Sequence, residues 1–149
     1  MGASRDLVAL ALGCTARAEG RHAEARAHTH GALRRLQRRG EGALLRSAAC
    51  LAGLLEIARG APARGVTVLA ACASGEGPVG TVSMPEVRAE APGFLAQARA
   101  ALGAAGYAAA WAAGQALTLD EAVVYTLADA RDARDARDAR GARDAPDAA

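Results

Sequence analysis

The chain has 149 residues, 18 basic and 16 acidic side chains, and a hydrophobic fraction of 52% in which alanine is prominent. This length suits a single domain, and the scarcity of aromatic residues, 3% of the chain, argues against a sheet-based core and favours helices. Every basic side chain in that count is arginine, which excludes enzymes that need a phosphate-binding or Schiff-base lysine. Because we find no nucleophile–base pair, metal set or phosphate loop, we predict neither an enzyme nor a cofactor.

The three cysteines, Cys14, Cys50 and Cys72, lack the C-x-x-C spacing of redox and metal motifs, and an odd number cannot all pair. No convincing signal peptide precedes them, so we expect reduced and mostly buried thiols in a cytoplasmic protein. Residues 100–119 form an uncharged stretch that is nearly long enough to span a membrane, but their alanine and glycine content disfavours insertion into the bilayer. We therefore expect no membrane partner.

Residues 1–74 show two copies of a unit of about 40 residues. In the first copy, Gly13 and Gly20 are followed by small side chains at the spacing of tetratricopeptide repeats. Antiparallel helices need small residues where their backbones approach, and a glycine suits the point where the first helix stops. The positions that match this pattern are Leu12-Gly13, Gly20, Ala25 and Ala32.

The apolar residues of the first copy indicate how its two helices pack. We expect Leu7, Val8 and Leu12 on the first helix to face the second, where Leu33 and Leu36 return the contact. The second copy follows with a proline near the start of its second helix, where a missing N–H costs nothing. Its matching positions are Ala52-Gly53, Gly60, Pro62, Gly65 and Cys72, and its predicted core residues are Leu44, Leu51, Leu54, Leu55, Ile57, Val66, Val68 and Leu69.

The helical pattern is interrupted after the second copy, and we expect a loop over residues 75–84. A helix then starts near Pro85 and ends at Gly103 and Gly106, with a short helix through Tyr107 and Trp111 behind it. Its predicted apolar face carries Phe94, Leu95 and Leu102.

A final helix is predicted behind Thr118, which has Glu121 three residues on and so forms the pattern of a capping box. Residues 85–130 together make a C-terminal helical cap. Residues 131–149 repeat Arg-Asp-Ala with a period of three, which cannot build an apolar helix face, and we expect a disordered tail. The predicted fold is all-α: tetratricopeptide-like antiparallel helix pairs, a helical cap and this tail.

Residues 98–127 resemble the closing segment of the helical repeat region in LuxR-type and cyclase-linked regulatory ATPases of high-GC bacteria. Residues 99–103 look like that family's "A-R-x-x-L-G", residues 107–114 like "F-x-x-A-W-x-x-G", and residues 116–123 like "A-L-x-L-E-E-A-V". The resemblance implies a helical module for partners or signals, and it carries over neither ATP hydrolysis nor promoter binding. The resemblance is strongest over residues 85–127, where the individual matches are Pro85, Arg88, Arg99, Leu102, Gly103, Tyr107, Ala110, Trp111, Gly114, Ala116, Leu117, Leu119, Glu121, Ala122 and Val123.

Four arginines, Arg34, Arg35, Arg38 and Arg39, cluster on one broad face near the end of the predicted second helix. They are our candidate partner-binding residues, for an acidic protein surface or for phosphates. A helix C-terminus and solvent also favour cations, which explains the cluster without any partner. Because no aromatic side chain is interleaved with them, we do not favour nucleic-acid binding.

The three histidines, His22, His28 and His30, have spacings of six and two, which do not converge on a metal as i,i+3 or i,i+4 pairs would. We therefore interpret them as exposed side chains and predict no metal site. Tyr107 and Trp111 lie one helical turn apart, and we interpret them as core packing rather than as the lining of a ligand cavity.

Together these patterns predict a cytoplasmic module that binds a protein or peptide through the inner surface of its helix pairs. We interpret it as a truncated remnant of a transcriptional-regulator ATPase. Homodimerisation through an exposed edge of the repeats stays open. The alternatives are a nucleic-acid-associated accessory protein that uses the Arg34–Arg39 face, and a non-functional fragment, since repeat arrays usually need about three units to be stable.

Overall fold

The computed structural model describes residues 2–73 and 84–128, and in this part of the chain all regular secondary structure is helical. The all-α prediction is therefore confirmed for these residues. The predicted tail, 131–149, and the predicted loop, 75–84 apart from Met84, lie outside them. The helices are α1 (Gly2–Ala18), α2 (His22–Arg39), α3 (Gly42–Ala58), α4 (Pro62–Ala73), α5 (Pro85–Gln115) and α6 (119–128).

The three connections among the first four helices are copies of one turn. Each contains a glycine with positive φ, namely Gly20, Gly40 and Gly60, at 77°, 69° and 91°. In every copy the glycine N–H donates to the carbonyl three residues earlier, and the following N–H donates to the carbonyl five residues earlier. Glycine suits this left-handed position because it has no Cβ. One helix and its turn thus take 20 residues, half of the predicted repeat.

Helix α3 lies at the centre of the molecule. It packs against α1, α2, α4 and α5, and every side chain from Ser47 to Ile57 is buried. A helix that is apolar on all sides is suited to this position. The predicted stripe of Leu51, Leu54 and Leu55 is buried, but burial extends around the whole helix. The surface available to a partner therefore lies on the outer helices.

Three of the apolar residues of α1 face solvent, and the prediction that they pack on α2 is wrong. The face of α1 that contacts α2 instead carries Asp6, Leu10 and Gly13. A Cβ at Gly13 would lie 2.9 Å from Thr29 Oγ1, so the glycine permits close approach of the two helices. The side chains whose position was predicted wrongly are Leu7, Val8 and Leu12, which are 51%, 58% and 47% exposed.

Most other predictions for the core are confirmed, but Leu44 is only half-buried. Helix α4 begins at Pro62 and approaches α3 and α5 through glycines. A Cβ at Gly65 would lie 2.6 Å from the Gly53 carbonyl oxygen, and one at Gly114 would lie 2.1 Å from the Thr67 carbonyl oxygen. No residue with a Cβ fits these positions without a shift of backbone. The predicted core residues found buried are Leu33, Leu36, Cys50, Leu51, Leu54, Leu55, Ile57, Val66, Val68, Leu69 and Cys72.

For the C-terminal helices, the predicted boundaries agree with the structure better than the predicted buried faces do. Helix α5 breaks at Gly103, where φ is 74° and ψ is 167°, but Gly106 continues the helix behind the break. Thr118 and Glu121 form the predicted capping box: the Glu121 N–H donates to Thr118 Oγ1 at 3.2 Å, and the Thr118 N–H donates to Glu121 Oε1 at 3.1 Å. The buried face of the first part of α5 carries Val87, Ala91 and Ala98, whereas Phe94, Leu95 and Leu102 are half-buried.

Candidate functional site

The predicted partner-binding arginines separate into two pairs on α2. Arg35 and Arg39 point towards α1, where Arg35 Nε donates to Asp6 Oδ1 at 2.6 Å and Arg39 Nη2 donates to Asp6 Oδ2. Arg39 also donates from Nε to Glu41 Oε1 at 2.9 Å. Each oxygen of the Asp6 carboxylate therefore has its own guanidinium partner. Two of the four arginines that were predicted to bind a partner thus form ion pairs within the chain.

The Asp6 cluster holds α1 in one rotation against α2. Burial raises the pKa of the Asp6 carboxyl, but the hydrogen bonds from Arg35 and Arg39 outweigh it, and the pKa lies below its ordinary value. The carboxylate is therefore ionised near neutral pH although its side chain is fully buried. Rolling the helix would separate this charge from both guanidinium partners, and breaking buried ion pairs is costly. The opposite face of α1 is consequently held towards solvent.

Arg34 and Arg38 form the second pair, one helical turn apart. Arg34 is half-buried and Arg38 is exposed, and neither forms an ion pair with a described residue. A protein that neutralises two phosphates shows a salt dependence of binding with a slope of only about −2. The partner-binding role of the four arginines stays a prediction. Because Arg35 and Arg39 form ion pairs within the chain, Arg34 and Arg38 are the members of the cluster that remain available for it.

The outer face of α1 holds three of the four large apolar side chains that are exposed in the described residues; the fourth is Val124 on α6. Val8 and Leu12 lie one turn apart, and the exposed residues Ala11 and Thr15 continue the surface along the helix. Contiguous exposed apolar side chains mark interaction sites more often than single ones do. We call this surface the α1 stripe and define it as Leu7, Val8, Ala11, Leu12 and Thr15.

A second buried carboxylate, Glu56 on α3, lies among three arginines. Arg59 donates to Glu56 Oε2 from Nε at 3.0 Å and from Nη2 at 2.7 Å. Arg26 Nη2 lies 3.4 Å from Oε1, and Arg64 Nε lies 3.6 Å from Oε2. Arg64 also lies over the Tyr125 ring, 4.2 Å from its centroid, and donates to the Tyr125 carbonyl at 2.8 Å. The cluster joins α2, α3, α4 and α6, so we interpret it as structural.

A cleft of about 300 Å³ opens between α1 and the start of α5. Cys14 and Met84 line it from the two sides, and Arg17 forms an ion pair with Glu90 at 2.5 Å beside it. Burial raises the pKa of the Cys14 thiol above its ordinary value, which keeps the sulfur protonated and weakly nucleophilic at neutral pH. The cleft thus offers no activated nucleophile.

The histidines do not all lie where the spacing predicted. His22 is exposed and His28 half-buried, but His30 is buried, because α2 packs against both α1 and α3. No group of three potential metal ligands occurs among the described residues. Tyr107 and Trp111 stack with their ring centroids 6.0 Å apart and pack against the core, in agreement with the core-packing interpretation.

No protein-family model, curated protein or solved structure matches this chain. Three of the residues that carry the resemblance to regulatory ATPases have clear structural roles here. Gly103 breaks α5, Gly114 permits contact with α4, and Glu121 forms the α6 capping box with Thr118. The pattern therefore reports how this part of the chain packs, and the resemblance itself stays a prediction. None of the described helices is both long and apolar enough to cross a membrane.

Proposed function

We propose that this protein is a helical protein-interaction module that binds its partner through the α1 stripe. The observation that carries the proposal is the exposure of Leu7, Val8 and Leu12 on a helix whose rotation is fixed by the buried Asp6 cluster. Covering apolar surface contributes about 25 cal/mol per Å², which favours association with a matching apolar surface. Because the fixed rotation keeps the stripe in solvent, a partner has no competing internal contact to displace.

We propose that residues 1–74 are arranged as tetratricopeptide-like antiparallel helix pairs. One observation supports this arrangement: α1 contacts α3 as well as α2, as expected where two successive helix pairs stack on each other. In repeat arrays each helix pair covers the apolar face of its neighbour, and a terminal face needs a cap or a partner. On this proposal the α1 stripe is such a terminal face. The resemblance of residues 98–127 further suggests a role in a cytoplasmic regulator.

Photo-crosslinking tests the function directly. A benzophenone side chain is placed at Val8 in the stripe and, as a control, at the exposed Ala108 on α5. We expect protein adducts in an extract of the producing cells from the first position and not from the second. The partner identified by mass spectrometry should then bind the purified chain, and Leu12→Glu should weaken that binding at least tenfold. Equal adducts from both positions, or binding insensitive to Leu12→Glu, would show that the stripe is not the binding surface.

Nucleic-acid association is the second candidate, because Arg34 and Arg38 form no ion pair with a described residue. We expect binding through this cluster to be weak and to respond little to salt, since only two of its four arginines lack an ion pair with a described residue. Electrophoretic mobility shifts at low and moderate salt, compared with an Arg34→Gln/Arg38→Gln variant, test it. Absence of a shift at low salt, or a shift that the double variant leaves unchanged, rejects this candidate.

A further inference from the structure

The exposed residues along α1 lie on one line along the helix, at a spacing that suits contact with a second helix. Arg5, Val8, Leu12, Thr15 and Glu19 are all exposed and are spaced alternately three and four residues apart. The helical hydrogen bonding extends to the end of this set, because the Glu19 N–H donates to the Thr15 carbonyl at 3.1 Å. Residues at this spacing lie on one side of a helix and form the contact line of paired helices. The α1 stripe therefore has a charged residue at each end.

The two end charges have opposite signs and are available for a further contact. Arg5 forms no ion pair with a described residue. Arg21 donates to Glu19 through Oε2 only, from Nε at 2.9 Å and from Nη2. Among the described residues, the Oε1 atom of Glu19 accepts no hydrogen bond. Arg5 and Glu19 each lie seven residues from Leu12, so the charge pattern reverses its sign about that residue.

We propose that the occupant of the α1 stripe is a second copy of this chain, with the two α1 helices packed antiparallel about a twofold axis at Leu12. The inference rests on the proposed function of the stripe as a protein-binding surface. In this pairing Leu12 packs on the partner's Leu12, and Val8 lies beside the partner's Thr15. Arg5 then lies beside the partner's Glu19 at both ends. The same patch thus serves both copies, as in other twofold dimers.

Self-association accounts for features that a different partner would leave unexplained. A surface with reversed charges at equal distances from its centre is complementary to itself, whereas an unrelated partner does not require that symmetry. The net charge of +2 gives little long-range repulsion between copies. Three large side chains per copy make a small interface, so the dimer is weak and its population depends on concentration.

Sedimentation velocity over a wide concentration range tests the proposal with the full chain. We expect the mass to rise from the 15.0 kDa of one chain towards twice that value. Leu12→Glu should leave only monomer. Arg5→Glu and Glu19→Arg, each alone, should raise the dissociation constant at least tenfold, because like charges then face each other at both ends. The double variant Arg5→Glu/Glu19→Arg exchanges the charges and should restore dimerisation.

Val124→Glu is the matched control, since this side chain is as exposed as Val8 but lies on α6. It should leave the dimer intact, and circular dichroism should show the same helical melt for every variant. A wild-type chain that stays monomeric, a double variant that fails to recover, or a Val124→Glu variant that dissociates overturns the pairing. If the chain is monomeric but crosslinks specifically to another protein from Val8, the proposed function survives and this inference alone fails.

Discussion

Replacing Asp6 by asparagine should destabilise the fold, because it removes the anion that Arg35 and Arg39 share. Asparagine keeps the shape of the side chain but carries no charge, and its NH2 group faces a guanidinium group. Arg35 then lacks an anionic partner, and Arg39 keeps only Glu41. Removing one member of a buried ion cluster costs about 3–5 kcal/mol, and a hydrogen bond to a charged group contributes about 1.5–3 kcal/mol. Arg35 and Arg39 are 29% and 33% exposed and recover part of their hydration. We therefore expect a loss of about 2–4 kcal/mol in the free energy of unfolding.

The pH dependence gives a second test of the same cluster. The folded pKa of Asp6 lies below its ordinary value of 3.8, so unfolding would take up protons in acid. The stabilisation from the ionised carboxylate is fully present above that value and is lost as the pH falls through the folded pKa. The difference in stability between the wild-type chain and Asp6→Asn should therefore be constant above about pH 5 and shrink in more acidic solution.

Urea unfolding followed by circular dichroism at 222 nm measures both effects. The matched control is Asp120→Asn, the same chemical change at an exposed acid on α6, which should alter the free energy of unfolding by less than about 0.5 kcal/mol. If Asp6→Asn also stays within that limit at neutral pH, the cluster does not hold α1 on α2. The reasoning about the fixed rotation of the α1 stripe would then be refuted.

Further predictions concern backbone contacts, capping and thiols. Gly65→Ala should destabilise the fold by about 1–3 kcal/mol because its Cβ meets backbone, whereas Gly93→Ala, which meets open space inside α5, should stabilise it by about 0.5–1 kcal/mol in the same urea assay. Thr118→Ala should lower the free energy of unfolding by about 1 kcal/mol because the cap of α6 is lost. Thr15→Ala, at an exposed position on α1, is the control and should have a smaller effect. With a thiol reagent, Cys14 should react before Cys50 and Cys72, since both of those are buried and the hydrogen bond with Cys72, together with burial, raises the pKa of the Cys50 thiol. Simultaneous reaction of all three thiols would contradict the packing of α3 and α4.

The turns and caps were predictable because their causes are local. A left-handed turn needs glycine, and Gly20 and Gly60 are visible as helix stops in the sequence alone. The capping box needs only Thr118 and Glu121, three residues apart. Pro62 likewise marks the start of α4 without reference to the rest of the fold. Signals of this kind are complete within a few residues, so tertiary packing does not change them.

The rotation of α1 was predicted wrongly because its cause is distant in sequence. Hydrophobic spacing favours burial of Val8 and Leu12, and an isolated acid such as Asp6 is expected in solvent. The partners that make its burial favourable, Arg35 and Arg39, are 29 and 33 residues away. The one usable signal was the spacing of those two arginines, which lie one turn apart on α2. The burial of His30 was missed for the same reason, since it depends on packing with two neighbouring helices.

The burial of α3 determines whether the molecule unfolds in parts or as a whole. In an open solenoid each unit contacts only its neighbours, so the two ends can fray independently. Here α3 contacts four other helices, and opening either end exposes its apolar side chains from Ser47 to Ile57. The amide protons of α3 should therefore exchange with solvent only when the whole molecule unfolds. A chain whose turns recur every 20 residues thus unfolds as one cooperative body.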